Sequence, residues 1–522
     1  MKLKPLYCIS FIEGGVVMVT EIAGARLLTP FFGASLYSWA STLSITLLAL
    51  MTGYYVGGYV TTKPKYTSPD KISWVFFASG LTVLIMPALG HFIMEKTISF
   101  SFFSGLIVSQ LFFMFLPIFL MGMISPMIIY QITKKAEQSG RSAGNIYAIS
   151  TSGGILFTLI FGFLIIPYYG ITLPVKVLGL AVSILALIFL FKEKLTTKKA
   201  PLVLVTVITA AIAFSQSKPK DSFSPQSKMR LVDYSEGLLG ELKVVDEYAK
   251  MPDGKPVTIR KLRTNNVQQN FVFTDMPTQS LLYYVNFTKQ LIKFLPKKET
   301  ALLIGLGAGS LYSVLSNEHV DVESIEIDKR IYDIGVKYFN MPEHKKNVIT
   351  DGRYFINVTK NTYDLIVLDV IIGESVPAQL LTLESFQRLY QILNAGGTLI
   401  VEHGGVNNFA DNCFVPSINK TLHAAGFEVS IFNPTLSTQH GDVLFVATKN
   451  KLDVRKITLS NDVLVKGGPL SDYALPITTF DNRSPEVFTD DVNSMDVLLK
   501  DHYFTVRKGI RKELAKINTG RN

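Results

Sequence analysis

The sequence predicts a multi-span α-helical membrane domain followed by an α/β domain with a parallel sheet and a small β-segment at its start. Three observations carry this reading. Long apolar runs broken by short basic loops fill the chain from Leu6 to Phe214. After Ser215 charged and apolar residues alternate in the ordinary way, and from Ala301 a buried-strand run, a glycine-rich turn and a helix-compatible run follow one another. The composition agrees, since 48% hydrophobic and only 18% charged residues over 522 positions is too apolar for a disordered or a purely soluble chain.

The apolar runs lie at roughly 6–29, 36–60, 72–94, 101–130, 144–167, 172–191 and 200–215. A bilayer core needs about 20 apolar residues per crossing, so all but the last are long enough. The expected membrane domain is therefore residues 1–220 with six or seven spans. Glu13, Glu21 and Arg26 interrupt the first run and another apolar run follows at once, which argues against a removable signal peptide. Ionisable groups at such depth face a bundle interior or a polar cavity. Two readings stay open for them: glutamates paired within the bundle with Arg26 at the interface, or a substrate pathway. The spacing of Gly53 and Gly57, and the run Ser152-Gly153-Gly154, would let helices approach closely.

Loop charge sets the expected orientation. Lys2, Lys4, Lys63, Lys65, Lys71, Lys134, Lys135, Arg141, Lys192, Lys194, Lys198 and Lys199 share one side if every run spans. The positive-inside rule then places the N-terminus in the cytoplasm of a multi-pass protein of the cell (inner) membrane. Seven crossings would leave the C-terminal part outside, away from nucleotide-like cofactors, so the two arguments oppose each other and the side stays open. The charge excess, 51 − 41 = +10, sits beside apolar runs and reads as membrane-flanking, with the lipid bilayer and not nucleic acid as partner. Two cysteines, Cys8 and Cys413, and seven histidines without close pairing offer neither a disulfide framework nor a metal site.

Residues 221–290 form a β-rich lead-in, seen in Glu241–Asp246 and Val272-Phe273. Residues 291–522 form the α/β domain. Its first strand, Ala301–Ile304, runs into Gly305, Gly307 and Gly309 and then into the helix-compatible Leu311–Leu315. Glycines there allow backbone to pass close to a ligand at a helix N-terminus. A second strand ends at Glu326, 17 residues beyond Gly309, where a carboxylate can accept both hydroxyls of a ribose. A third leads to Asp351 and Gly352, within reach of an adenine edge, and a fourth, Tyr363–Leu368, ends at Asp369. All sit at carboxyl ends of predicted parallel strands, the edge at which open α/β sheets bind ligands.

This ordered set resembles a class I S-adenosylmethionine-type Rossmann-like fold and, more narrowly, the membrane-fused branch of the spermidine synthase-like (polyamine aminopropyltransferase) family. The segments Glu21–Gly33, Met121–Pro126 and Thr489–Asn493 are similar to motifs of that branch. The resemblance implies a polyamine synthase-like transferase that moves an aminopropyl group from decarboxylated S-adenosylmethionine to a small amine, without a metal, in a homo-oligomer. It places Gly305, Gly307 and Gly309 at the methionine-derived end of the cofactor, Glu326 on the ribose, and Asp351 with Gly352 on the adenine. Gln269 matches a cofactor-contacting glutamine, Tyr283 or Tyr284 a substrate-side tyrosine, and Asp369 the general base. Such a base is needed because an ammonium has no lone pair with which to attack.

The chain departs from the family pattern at three places: Ala308 stands where an acid is usual, Ile371-Ile372 where a second Asp is usual, and Asp275-Met276 where an Asp-Glu pair is usual. Glu374 and Glu384 are the acids available to supply the missing charge. These departures keep two alternatives open: methyl transfer from intact S-adenosylmethionine, and a non-catalytic polyamine- or nucleoside-binding sensor or transporter.

Overall fold

The computed structural model describes residues 3–63, 69–97, 100–191, 200–215, 229–237, 239–251, 253–370, 377–406, 413–437, 440–450, 456–462, 464–475, 484–499 and 508–510. Lys2, Lys65, Lys192, Lys194, Lys198, Lys199, Ile371, Ile372 and Glu374 lie outside the described residues. The chain forms two compact units, Met1–Ser222 with Ser235–Glu241, and Phe223–Tyr234 with Leu242–Asn522.

The first unit is helical: α1 (Leu3–Phe32), α2 (Leu36–Thr61), α3 (Pro69–Thr97), α4 (Phe102–Phe113), α5 (Phe115–Ile132) and α6 (Ser139–Leu159). A π-helical stretch, Ile160–Ile165, continues α6 into α7 (Ile166–Tyr169), followed by α8 (Thr172–Phe191) and α9 (Ala200–Ser215). Among the described residues six segments are long and apolar enough to cross a membrane: α1, α2, α3, α5, the continuous run through α6 and α7, and α8. The run expected as one span over 101–130 is instead two helices meeting at Met114. Pro117 explains the break, because it has no N–H for the Phe113 carbonyl four residues back and its ring crowds that oxygen.

Glycines set the helix contacts. A Cβ on Gly14 would overlap the Ser150 carbonyl of α6, and one on Gly153 would overlap the Phe11 carbonyl of α1. Gly53 and Gly57 bring α2 onto α5 in the same way, with Cβ positions 2.5 Å from the Phe119 and Met123 carbonyl oxygens. Without Cβ atoms the backbones approach closely, which supplies the packing that small residues give between apolar helices. Glu13, only 2% exposed, is held in place by donors: Ser150 Oγ at 2.9 Å and Ser125 Oγ at 3.3 Å both bond its Oε2. Glu13 thus finds its partners within the bundle. Arg26 sits over the Trp39 ring, 5.9 Å from its centroid.

A five-stranded sheet, whose residues belong to the second unit apart from Ser235–Glu241, has the order β1-β2-β3-β4-β5 and is built from β1 (Met229–Gly237), β2 (Gly240–Lys250), β3 (Pro256–Thr264), β4 (Val267–Phe273) and β5 (Met276–Ser280). Asn265 and Asn266, with φ of 51° and 66°, make the two-residue turn between β3 and β4. Asparagine tolerates the left-handed conformation that such a hairpin turn demands. Then come α10 (Tyr283–Leu291), β6 (Thr300–Ile304), α11 (Ser310–Asn317), β7 (Asp321–Glu326), α12 (Lys329–Phe339), β8 (Asn347–Ile349), α13 (Gly352–Val358) and β9 (Tyr363–Leu368). The chain continues with α14 (Leu383–Ile392), β10 (Leu393–Val406), α15 (Phe414–Ala424), β11 (Glu428–Phe432) and β12 (His440–Thr448).

These strands form a seven-stranded mixed sheet, β11-β12-β10-β9-β6-β7-β8, in which β12 runs antiparallel between β10 and β11. The central strands are apolar on both faces because each face is covered. Leu302, Ile304, Ile366, Leu368, Leu399 and Val401 enter one core, and Ala301, Leu303, Leu365, Val367 and Ile400 enter the other. The Thr489–Asn493 segment pins this unit together: Asp490 accepts Arg353 Nη2 at 2.6 Å and Thr382 Oγ1 at 2.7 Å.

Candidate active site

The carboxyl ends of β6, β7, β8 and β9 carry the residues that the sequence singled out. Gly305, Gly307 and Gly309 have φ of 87°, 52° and 83°, in the region that disfavours any side chain. Their surroundings differ. A Cβ on Gly305 would overlap the Asp369 carbonyl oxygen, and one on Gly309 would overlap the Met341 sulfur, whereas Gly307 faces open space. Gly305 thus presses the turn against the end of β9, and Gly307 is the glycine that leaves room beside the backbone. Asp369 is tied to the same place by its N–H, which donates to the Ile304 carbonyl at 2.9 Å.

Glu326 closes the turn from the next strand. Its Oε2 accepts the Leu306 N–H at 3.1 Å and its Oε1 the Asp328 N–H at 2.9 Å. Burial pushes its carboxyl up to about 7, and those backbone donors pull against the rise. Asp351 caps α13, with Oδ1 accepting the Tyr354 N–H at 2.8 Å. Gly352 is needed for packing, since a Cβ there would lie 2.8 Å from Ile304 Cγ2.

Around Asp369 the fold gathers an anionic cluster. The Tyr284 hydroxyl donates to Asp369 Oδ2 at 2.9 Å, and the Tyr284 N–H donates to Asp442 Oδ2 at 3.3 Å. Asp442 thereby holds the first turn of α10, where a carboxylate complements the helix dipole. Glu402 on β10 lies beside Asp369, one step beyond the Leu368–Val401 pair. Strand register explains the convergence. Leu368 pairs with Val401, and Gly404 pairs with Asp442, so the next residue after β9 and alternate residues of β10 and β12 share one face.

Electrostatics follow from this crowding. Burial pushes Asp369 up to about 6, the Tyr284 hydrogen bond works against it, and the Asp442 charge adds to the rise. Asp442 is likewise pushed up to about 6 by burial. Glu402 is raised well above the usual carboxylate range by burial first and then by its two acidic neighbours. Burial and these same acids also raise the Tyr284 hydroxyl.

Of the two tyrosines only Tyr284 reaches the cluster; Tyr283 is 40% exposed. Gln269 is the extra residue of a β-bulge, because Asn270 pairs with Leu262 and Gln268 with Arg263. Its neighbour Asn270 reaches the end of the glycine turn, donating to Ser310 Oγ at 2.6 Å. Asp275 is exposed in the turn between β4 and β5. Ala308 is buried with Leu242, Val244, Leu262 and Val272, so its side chain serves the packing of the small sheet. Glu384 does not supply charge to the cluster: it stands in the first turn of α14 and accepts the Asp490 N–H at 2.9 Å.

Glu402 and Asp442 are the acids that reading the sequence missed. Each had a local signal. Glu402 ends the apolar run Leu399-Ile400-Val401, and Asp442 opens the run Val443-Leu444-Phe445-Val446, so both interrupt strands buried on two faces.

Residues 286–460 match the spermine/spermidine synthase domain. The C-terminal region carries such a domain. Similar curated proteins include a polyamine aminopropyltransferase of Vibrio vulnificus, 34% identical over 138 residues that make up 25% of this chain and 46% of that protein. They also include an N-terminal histidine N-methyltransferase of Emericella nidulans, 33% identical over 110 residues, 20% of each chain. The chain thus spans less than half the length of these relatives. Among solved structures, a probable spermidine synthase from Corynebacterium glutamicum aligns with 49% of this chain and 98% of its own at 13% identity and a TM-score of 0.38. The Asp369 cluster and the glycine turn lie within the synthase-domain segment, while Gln269 and Tyr284 precede it.

Proposed function

We propose that this protein is a membrane-integrated aminopropyltransferase that uses decarboxylated S-adenosylmethionine and an amine acceptor, with Asp369 as general base. The observation that carries the proposal is the Asp369 carboxylate beside the Gly305 turn, bonded by Tyr284 and joined by two further acids on the same face. An acidic cluster of this kind attracts an ammonium, and Asp369 would take its proton. Proximity of the acceptor to the glycine turn supplies the rest, by holding the reacting atoms together.

The residues fit the cofactor. Gly307 leaves open space beside the turn, Glu326 stands at the neighbouring strand end, and Asp351 caps α13 with one oxygen. Bound there, decarboxylated S-adenosylmethionine would supply a sulfonium-activated carbon for attack. Gly305 and Gly309 would shape the turn, Glu326 would hold ribose hydroxyls, Asp351 and Gly352 would meet the adenine, and Gln269 in its bulge would contact the cofactor. Tyr284 would orient the acceptor and the base together, and Tyr283, exposed at the start of α10, would border the entry.

For the helical unit we propose passage through the cell (inner) membrane. Six crossings return the chain to the side of the N-terminus, the cytoplasmic side by loop charge. On this reading α9 does not cross, since its 16 residues reach about 24 Å against a core of about 30 Å.

Methyl transfer from intact S-adenosylmethionine is the second reading. It is favoured by the methyltransferase named among the similar proteins and by Ala308, which removes an acid that a decarboxylated cofactor's free ammonium would use. Calorimetric titration of the detergent-solubilised protein with both cofactors and with methylthioadenosine separates the two. Tighter binding of the decarboxylated form supports aminopropyl transfer, tighter binding of the intact form supports methyl transfer, and binding of neither overturns both.

A further inference from the structure

Two helices begin beyond strands that end at the candidate site, α13 after β8 and α14 after β9, and one acid far along the chain holds both starts. Asp490 Oδ2 accepts Arg353 Nη2 at 2.6 Å, from the residue that follows the Asp351-Gly352 turn. Its Oδ1 accepts the hydroxyl of Thr382, the cap of α14, at 2.7 Å, and its N–H donates to Glu384 Oε2 at 2.9 Å. Arg353 closes the triangle, because its Nη1 donates to Thr382 Oγ1 at 3.0 Å and to the Gln379 carbonyl at 2.9 Å. The two starts also lie against each other: Leu380 Cδ1 is 3.5 Å from where a Cβ on Gly352 would stand.

The segment that presents Asp490 is anchored without it. Phe488 is fully buried, its N–H donates to Thr421 Oγ1 at 3.1 Å, and its carbonyl accepts the Leu383 N–H at 2.7 Å. Next in the chain, the Thr489 N–H donates to the Val492 carbonyl and the Val492 N–H to Thr489 Oγ1, both at 3.0 Å. Met495 then enters the core that holds Ile304 and Leu368. The Asp490 side chain is 43% exposed, and an ion pair so open to water adds little to global stability. Its geometry is specific all the same, since charge-assisted bonds fix direction as well as distance.

We propose that Asp490 and Arg353 are positioning residues that hold the Asp351-Gly352 turn in place on the ligand edge, and so set affinity for the adenosine part of the cofactor and not the rate of proton removal at Asp369. Restraint of the Arg353 side chain passes directly to the turn, because its backbone continues from Gly352. This role rests on the cofactor site proposed above. It does not depend on the choice between aminopropyl and methyl transfer, because the adenosine part is common to both cofactors and to methylthioadenosine.

The test compares the full-length detergent-solubilised wild type with D490A and R353M, by calorimetric titration with methylthioadenosine and both cofactors, by steady-state turnover and by thermal unfolding. Each variant should bind all three ligands about 10-fold more weakly and raise the cofactor KM in proportion. It should leave kcat within about twofold, the acid limb of the pH profile in place and the unfolding midpoint nearly unmoved. D490N, whose one carbonyl oxygen still accepts one of the two donors, should fall between wild type and D490A. Binding that neither variant weakens, whatever happens to the unfolding midpoint, would make the contact merely structural and overturn the proposal, as would a loss confined to kcat. Should D490A fail to fold, R353M carries the same test, because it removes the guanidinium and keeps the stem. A wild type that binds none of the three ligands rejects the cofactor reading and this role with it, whereas wild-type binding left intact in both variants rejects this role alone.

Discussion

Glu13 of the helical unit and Glu402 of the sheet unit are both buried acids, 2% and 7% exposed, but they keep different company. Glu13 meets hydroxyl donors from α5 and α6, so its needs are met and its effect is to tie three helices together. Glu402 meets Asp369 and Asp442, so its burial is made costlier by its neighbours. A buried acid surrounded by donors is settled structure. One surrounded by acids leaves a field that a proton or a cation relieves, which is why strongly shifted groups gather at functional sites.

The largest expected effect sharpens this contrast. Asp369→Asn keeps the shape of the site and removes the base, so turnover should fall by about 10²- to 10⁴-fold with cofactor binding retained. A comparable loss in Glu13→Gln would break the comparison. Tyr284→Phe deletes a hydrogen bond to a charged group and should lower kcat/KM by about 10- to 100-fold. Because that hydroxyl favours the ionised carboxyl, its removal should also move the acid limb of the pH profile upward.

The wild-type profile should itself lose activity as pH falls through about 6, since Asp369 must be ionised to accept a proton and burial has raised it there. Asp442→Asn removes the like charge that adds to this rise, so the limb should move to lower pH; a stationary limb would show that Asp442 does not act on Asp369. In the helical unit, Gly153→Ala introduces a Cβ into the Phe11 carbonyl and should cost about 1–3 kcal/mol, read as a lower unfolding midpoint in detergent. The smallest effect is expected for Glu13→Gln, whose amide oxygen still accepts both serine hydroxyls. Stability should change by about 1 kcal/mol or less and turnover by less than about twofold.

Much of the architecture was legible because its signals are local. Apolar run length marked the helices, and β6 to β9 announced themselves as short buried runs closed by glycine or an acid. The division of 101–130 was also written locally, in Pro117, but run length alone hid it. Tyr283 and Tyr284 could not be separated from the sequence, because neighbours on a helix point about 100° apart and either could face the sheet. Packing chose Tyr284, whose side chain meets an acid 85 residues away and whose N–H meets one 158 residues away.

The sequence by itself determined an apolar multi-helix region, a parallel-strand core and an acid or glycine at each strand end, since all follow from periodicity and chain direction. Only the tertiary structure decided that Glu402 and Asp442 join Asp369. Their meeting depends on β12 inserting antiparallel beside β10 and on the register of three strands. Strand order is settled by long-range packing, and a shift of one residue would send those same acids to the opposite face of the sheet.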